Sequence, residues 1–149
     1  MEWVESLRGK MVGLDTTPVI YYIEENPTYL AIVDPFFDAI AHGELTVVTS
    51  VLTLLEVLVQ PIRRRNPQLV QKYRDLLLGS KGLSIVELSR NIAEEAAQLR
   101  AVHNMSTPDS VQMATAIVRK APVFLTNDKN LRSLPTLQVL VLDDMKGNP

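Results

Sequence analysis

The sequence predicts an α/β domain with a mainly parallel central sheet of about five strands, covered by helices on both faces. Three observations carry this expectation. Short apolar runs rich in Val, Ile and Leu alternate with longer amphipathic stretches. The short runs are apolar at consecutive positions, as strands buried on both faces must be. The chain has 149 residues, 46% of them hydrophobic, which is enough for one domain with a core of its own and hardly for two.

Met11-Val12-Gly13-Leu14 reads as a short buried strand ending at Asp15. Thr17 as N-cap and Pro18 at the first helical position then open a helix. Its apolar face is Val19, Ile20, Tyr22 and Ile23, and Asn26-Pro27 stops it. A second helix is expected from Tyr29 or Pro35 to His42, closed by Gly43 in the left-handed conformation that favours glycine. Residues 45–49 are β-branched and read as a strand, after which Ser50 caps a helix running to Gln60 and broken by Pro61. A further helix covers residues 67–78, and residues 83–86 form a third strand. Ser89 starts a long amphipathic helix with Ile92, Ala96 and Leu99 at core spacing. Thr107-Pro108-Asp109 opens the next, to Arg119. Residues 123–126 are a fourth strand, 128–134 a short helix, and 138–142 a fifth strand.

Composition removes several classes. There is no cysteine, which excludes disulfides, thiol catalysis and cysteine-ligated metal sites. Fifteen Lys and Arg against seventeen Asp and Glu give a net charge of −2, which argues against a protein that coats nucleic acid generally. No apolar run is long enough for a bilayer, and the acids of Met1-Glu2-Trp3-Val4-Glu5 do not suit a signal peptide, so the cytoplasm is expected. No glycine-rich phosphate loop follows the first strand. His42 and His103 lack metal-ligand spacing and are assigned no role.

Four carboxylates stand out. Asp15 directly follows the first strand, and Asp128 lies just beyond the fourth. Asp109 sits in the first turn of its helix. Glu56 lies within Val51-Leu52-Thr53-Leu54-Leu55-Glu56-Val57-Leu58-Val59, apolar nearly all round, so a buried helix is expected there. An unpaired charge in that setting costs several kcal/mol or more and demands a cation, a hydrogen-bond network or a raised pKa. Taken singly each has an ordinary reading: Asp15 as a cap, Asp109 at the positive end of a helix, Asp128 in a turn, Glu56 paired with Arg63. Taken together they point elsewhere. In parallel sheets ligands bind beyond the carboxyl ends of strands. Acids converging there repel one another, and a hard cation such as Mg²⁺ or Mn²⁺ relieves the repulsion. Such an ion beside a crevice suits phosphoryl chemistry.

These pieces resemble the PIN-domain family, and more closely its VapC-like toxin ribonuclease branch. The resemblance rests on Gly13-Leu14-Asp15-Thr16-Thr17, on Thr49-Ser50-Val51-Leu52-Thr53-Leu54-Leu55-Glu56-Val57-Leu58, on Thr107-Pro108-Asp109-Ser110-Val111-Gln112-Met113-Ala114-Thr115-Ala116, and on Phe124-Leu125-Thr126-Asn127-Asp128-Lys129-Asn130-Leu131. All four stand in the family's order. Pro18 and Ser110 depart from its usual residues without removing a carboxylate.

The resemblance implies a single PIN-like domain over residues 11–143, with a short extension at 1–10 and a tail at 144–149. It implies a Mg²⁺- or Mn²⁺-dependent endoribonuclease whose catalytic residues are Asp15, Glu56, Asp109 and Asp128. Asp15, Asp109 and Asp128 would hold the metal, Glu56 would bind it through water or position the attacking water, and Thr16 and Thr126 would assist. In-line attack of water on an RNA phosphodiester would leave a 5′-phosphate and a 3′-hydroxyl. The implied partners are RNA, a small antitoxin and a second copy of the chain, with no membrane. A housekeeping nuclease of the family, or a non-catalytic RNA- or protein-binding module, would carry similar motifs. Arg63-Arg64-Arg65, with Lys72 and Arg74, is the one basic cluster, and either a solvated helix end or a contact to RNA phosphates. Lys129 and Arg132 flank Asp128 and are candidates to steady the RNA strand. Tyr21, Tyr22 and Tyr29 are read as packing residues.

Overall fold

A computed structural model describes residues 1–146 of the chain. Five strands, β1 (Met11–Leu14), β2 (Thr46–Ser50), β3 (Leu83–Val86), β4 (Val123–Thr126) and β5 (Gln138–Val141), form one sheet in the order β3-β2-β1-β4-β5. Every pairing in it is parallel. The helices are α1 (Glu2–Glu5), α2 (Thr16–Ile23), α3 (Leu30–Ala41), α4 (Val51–Arg63), α5 (Pro67–Gly79), α6 (Arg90–His103) and α7 (Thr107–Val118), with a 3₁₀ turn at Leu142–Met145.

Alternation along the strands builds two cores, one on each face. Val12, Leu14, Val47, Val123 and Leu125 face a core shared with Val33, Phe36, Phe37, Tyr73 and Leu77 of α3 and α5. Val48 and Phe124 face the other, filled by Ile92, Ala96, Leu99, Met113, Ala114 and Ala116 of α6 and α7. The doubly wound α/β architecture expected from the sequence is therefore present. Residues 1–10 are not idle: Trp3, Val4 and Leu7 are buried in the first core, with Trp3 stacked on Phe36 at 5.9 Å. Tyr22 stacks on Phe37 at 4.1 Å and Tyr21 on Tyr29 at 4.2 Å.

The chain order places β1 between β2 and β4, so the crossovers leave β1 in opposite directions. The carboxyl ends of β1 and β4 thus flank the switch point, where a doubly wound sheet opens a crevice. One close approach fixes the wall behind it. A Cβ on Gly13 would lie 2.6 Å from the Ala116 side chain and 3.0 Å from Phe124, so only hydrogen lets α7 press onto β1 at this point.

Several local expectations are corrected. Asp15, not Thr17, is the N-cap of α2: its backbone is extended (φ −78°, ψ 168°) and its side chain accepts from the Thr16 amide. The helix α3 starts at Leu30 with Pro35 inside it, and α4 runs through Pro61 to Arg63, because Pro61 packs into the core near the helix end, where one lost hydrogen bond is tolerated. The helix α4 is not buried all round, since Leu55 (60%) and Ile62 (61%) lie open to solvent. Residues 128–134 form no helix. Asp128 Oδ1 accepts from the Asn130 amide, and Leu134 bridges to Leu137 instead. Side-chain oxygens that bond the local backbone compete with a helix, and here they prevail.

Gly13→Ala is expected to lower stability by about 1–3 kcal/mol, the usual cost of overpacking. Guanidinium unfolding measures it, and an unchanged midpoint would mean that α7 is not held at this contact.

Candidate active site

Asp15 is placed by the sheet itself. Its amide donates to the Leu125 carbonyl at 3.0 Å, which extends the β1–β4 ladder to the crevice. One carboxylate oxygen, Oδ1, accepts from the Thr16 amide at 2.8 Å, and the other, Oδ2, accepts from Thr126 Oγ1 at 2.7 Å. Thr126, buried at the end of β4, accepts in turn from the Asp128 amide at 3.0 Å. The carboxylate is thereby held rigidly at the switch point, between the ends of two neighbouring strands.

Burial pushes the Asp15 carboxyl above the usual 3.8, the hydrogen bonds from Thr126 and Thr16 oppose that shift, and the nearby charges of Asp109 and Glu56 add to it. Asp15, Glu56 and Asp109, from three separate elements, therefore share one electrostatic neighbourhood. Asp109 reaches it from the first turn of α7, where Ser106 caps its amide at 3.3 Å. Glu56 reaches it from α4 and is exposed rather than buried. Its Oε1 accepts from Thr16 Oγ1 at 2.6 Å, and the alternative pairing with Arg63 is not formed among the described residues. Asp128 stands one step away, joined to Asp15 through Thr126 and turned toward its own loop.

Behind Thr16 lies a set of buried polar groups that sequence reading passed over. Gln112 of α7 donates through Nε2 to Thr53 Oγ1 at 2.8 Å and to Thr16 Oγ1 at 3.2 Å. Thr53 contacts Thr49 Oγ1 at 2.8 Å, and Thr49 donates to the Leu14 carbonyl at 2.7 Å. Their signal was available: Thr53 and Gln112 are polar residues inside apolar helical runs, and buried polar groups require partners.

The other candidates lie around this centre. Arg63, Arg64 and Arg65 are exposed at the end of α4 and form no ion pair among the described residues. Arg63 follows Glu56 on the same helix face, about two turns or roughly 10 Å further on. Lys129 is exposed and pairs with Asp143 at 3.4 Å. Tyr29 also donates to Asp143, and Asn127 ties this corner to Tyr21, so the loop after β4 is anchored to α2 and to the 3₁₀ turn.

The donor set fits a hard divalent ion: carboxylate oxygens, one of them raised in pKa by burial and further by the charges of two neighbouring acids. Among the described residues no three acids or histidines are gathered as ready ligands of one ion. Mg²⁺ does not require such a cage, since it is commonly held by one or two carboxylates and otherwise by water and substrate phosphate.

Comparison with known proteins bears on this arrangement. The PIN domain model matches residues 12–137. No curated protein matches the chain. Among solved structures, a toxin–antitoxin complex from Klebsiella pneumoniae superposes with a TM-score of 0.68 at 21% identity, over 90% of this chain and 98% of that one. VapBC2 from Rickettsia felis, bound to a DNA fragment from its promoter, gives 0.69 at 19% identity, over 88% and 98%. VapC20 from Mycobacterium tuberculosis, a toxin that cleaves the sarcin–ricin loop, gives 0.62 at 14% identity, over 76% and 86%. At these identities the likeness is one of fold.

The raised carboxyl of Asp15 has a consequence for stability. Its proton is held to higher pH in the folded chain than in the unfolded one, so this group destabilises the fold increasingly as pH rises from 3.8 through the raised value. Below 3.8 the effect is absent. Asp15→Asn, uncharged throughout, should therefore melt above the parent at pH 7 in metal-free buffer, and the gap should close toward about pH 4. Thermal melts across that range measure it; a gap independent of pH would contradict the burial argument.

Proposed function

The chain belongs to the PIN domain family, and on that premise we propose that it is a Mg²⁺- or Mn²⁺-dependent endoribonuclease, the toxin of a VapC-like toxin–antitoxin pair. The observation that carries the reading is the fixed carboxylate of Asp15 at the switch point, within the electrostatic reach of Asp109 and Glu56. A domain that only bound a partner would gain nothing from keeping three mutually repelling acids together.

Asp15 and Asp109 would hold the ion, with Asp128 completing the acidic rim. When bound, a divalent ion supplies positive charge against the phosphodiester and acidifies water beside it. Asp15 contributes rigidity: both its oxygens are already hydrogen-bonded, so little side-chain freedom remains to be lost when substrate arrives. Glu56 keeps Oε2 free of hydrogen bonds among the described residues while Oε1 is occupied by Thr16, leaving one oxygen to orient water and take its proton. Arg63, Arg64 and Arg65 would receive RNA phosphates beyond Glu56, which positions the strand without reading its sequence. Lys129, drawn toward Asp143, serves first to hold the loop that carries Asp128.

An antitoxin partner is supported by the apolar flank of the same centre. A groove of about 510 Å³ between α4 and the start of α7 is lined by Leu52, Leu55, Leu58, Leu88, Pro108 and Val111. Leu55 and Leu88 are 60% and 53% exposed, the kind of open apolar surface that marks a protein interface. A second copy of the chain is the other protein partner the reading includes. Among the described residues no helix is long and apolar enough to cross a membrane.

Purified protein should cut a pool of tRNA and rRNA with Mg²⁺ or Mn²⁺ and not with EDTA, and Asp15→Asn should lose at least about a hundredfold in rate. RNA binding that is indifferent to the ion, with no cutting, would favour a binding module instead. Replacing Arg63, Arg64 and Arg65 by Ala should weaken binding across sequences. The slope of log affinity against log salt should flatten by about 0.7 for each phosphate that the variant no longer neutralises. An unchanged slope would mean that the basic cluster is a solvated helix end.

A further inference from the structure

The buried polar set behind Thr16 has a defined direction. Each threonine hydroxyl has one hydrogen to give. Thr49 gives its hydrogen to the Leu14 carbonyl, so in the 2.8 Å contact with Thr49 it is Thr53 that donates. Thr16 gives its hydrogen to Glu56 Oε1 at 2.6 Å. All three hydrogens are then committed, so the 3.2 Å approach of Thr16 Oγ1 to Thr53 Oγ1 carries none of them, and the amide group of Gln112 donates to both of these oxygens. The amide is thus the source of two chains, one ending on a backbone carbonyl and the other on the Glu56 carboxylate.

This arrangement costs stability. Gln112 is 3% exposed, and its Oε1 is one of two buried side-chain atoms without a partner among the described residues. Turning the amide over would not relieve it, because Oε1 would then face two hydroxyls whose hydrogens are already given. An apolar side chain of similar volume would pack here with no orphaned acceptor. The amide is kept where packing alone would not choose it.

We propose that Gln112 is a positioning residue for Glu56, acting through Thr16. By donating to Oγ1 of both Thr16 and Thr53, its amide turns the Thr16 hydrogen away from Thr53. The single Thr16 hydrogen is then presented to Glu56 Oε1, and Oε2 is left as the oxygen open to water. Gln112 lies beneath the surface, 3% exposed, so its influence should fall on turnover and not on substrate binding. The proposal rests on the nuclease reading for the role of Glu56 and on the hydrogen-bond geometry for the role of Gln112.

A double-mutant cycle tests it, with Gln112→Met and Thr16→Val, read in two ways. In RNA cleavage with Mg²⁺, each single variant should lower kcat about tenfold, the effect of one hydrogen bond to a charged group, with KM within about twofold. The double variant should fall no further than either single one, and Thr16→Ser, which keeps the hydroxyl, should recover most of what Thr16→Val loses. In the metal-free protein, the ¹³C carboxyl resonance of Glu56, assigned with Glu56→Gln, should move the same way in both single variants and no further in the double. Losses that multiply toward about a hundredfold would overturn the proposal, as would an unmoved Glu56 resonance in Gln112→Met. If Gln112→Met does not fold, Gln112→Leu takes its place in the cycle. If the parent protein cuts no RNA under any condition, the nuclease reading falls, and the Glu56 resonance still decides the role of Gln112.

Discussion

The desolvation of one carboxylate governs this molecule. Asp15 ends the first strand of a parallel sheet, at the point where the crossovers diverge, and burial there opposes its charge. Two other acids stand close enough to oppose it further. Two hydrogen bonds, from Thr126 and from the Thr16 amide, act the other way. Each of these partners occupies its place because of the fold. Thr126 ends the strand paired with β1, and Thr16 opens the helix that Asp15 itself caps. The site is a strained feature on an otherwise consistent scaffold, as expected where function and stability compete.

The scaffold's part is to bring distant residues to one edge. Gly13 lets α7 lie against β1, and that approach carries both Asp109 and Gln112 to the crevice. Thr49 and Thr53, four residues apart across the junction of β2 and α4, tie the base of α4 to the end of β1. Glu56 extends from the next turn of that helix. Asp15, Glu56 and Asp109 thus stand on or beside elements fixed by parallel pairing and by buried hydrogen bonds, while Asp128 lies in the loop after β4. Around them the basic end of α4 and the apolar groove beside it offer surfaces of opposite character.

Much of this was legible in the sequence, and the exceptions have physical causes. The five strands were visible because each is a short run rich in Val, Leu, Ile or Thr, and Asp15, Asp109 and Asp128 stood out because they lie at the ends of elements. Asp15 was read both as a helix cap and as a site residue, and the structure gives it the cap that Thr17-Pro18 had suggested for Thr17. Glu56 was expected in a buried helix since its neighbours are apolar, yet Leu55 and Ile62 face solvent, and composition does not distinguish a core face from an open one. Residues 128–134 carry helical periodicity, but Asp128 and Ser133 spend their oxygens on nearby amides. Gln112 was passed over because its partners lie 59 and 96 residues away along the chain, and only the packing of α7 on β1 brings them together.

The proposed ligation of a divalent ion by Asp15 and Asp109 at the carboxyl edge of the sheet is open to direct observation. Anomalous scattering from crystals grown with Mn²⁺ tests it most directly. The account predicts one dominant peak within bonding distance of an Asp15 oxygen and an Asp109 oxygen, absent in Asp15→Asn crystals grown alongside. A dominant peak elsewhere, or none at saturating Mn²⁺, would contradict it.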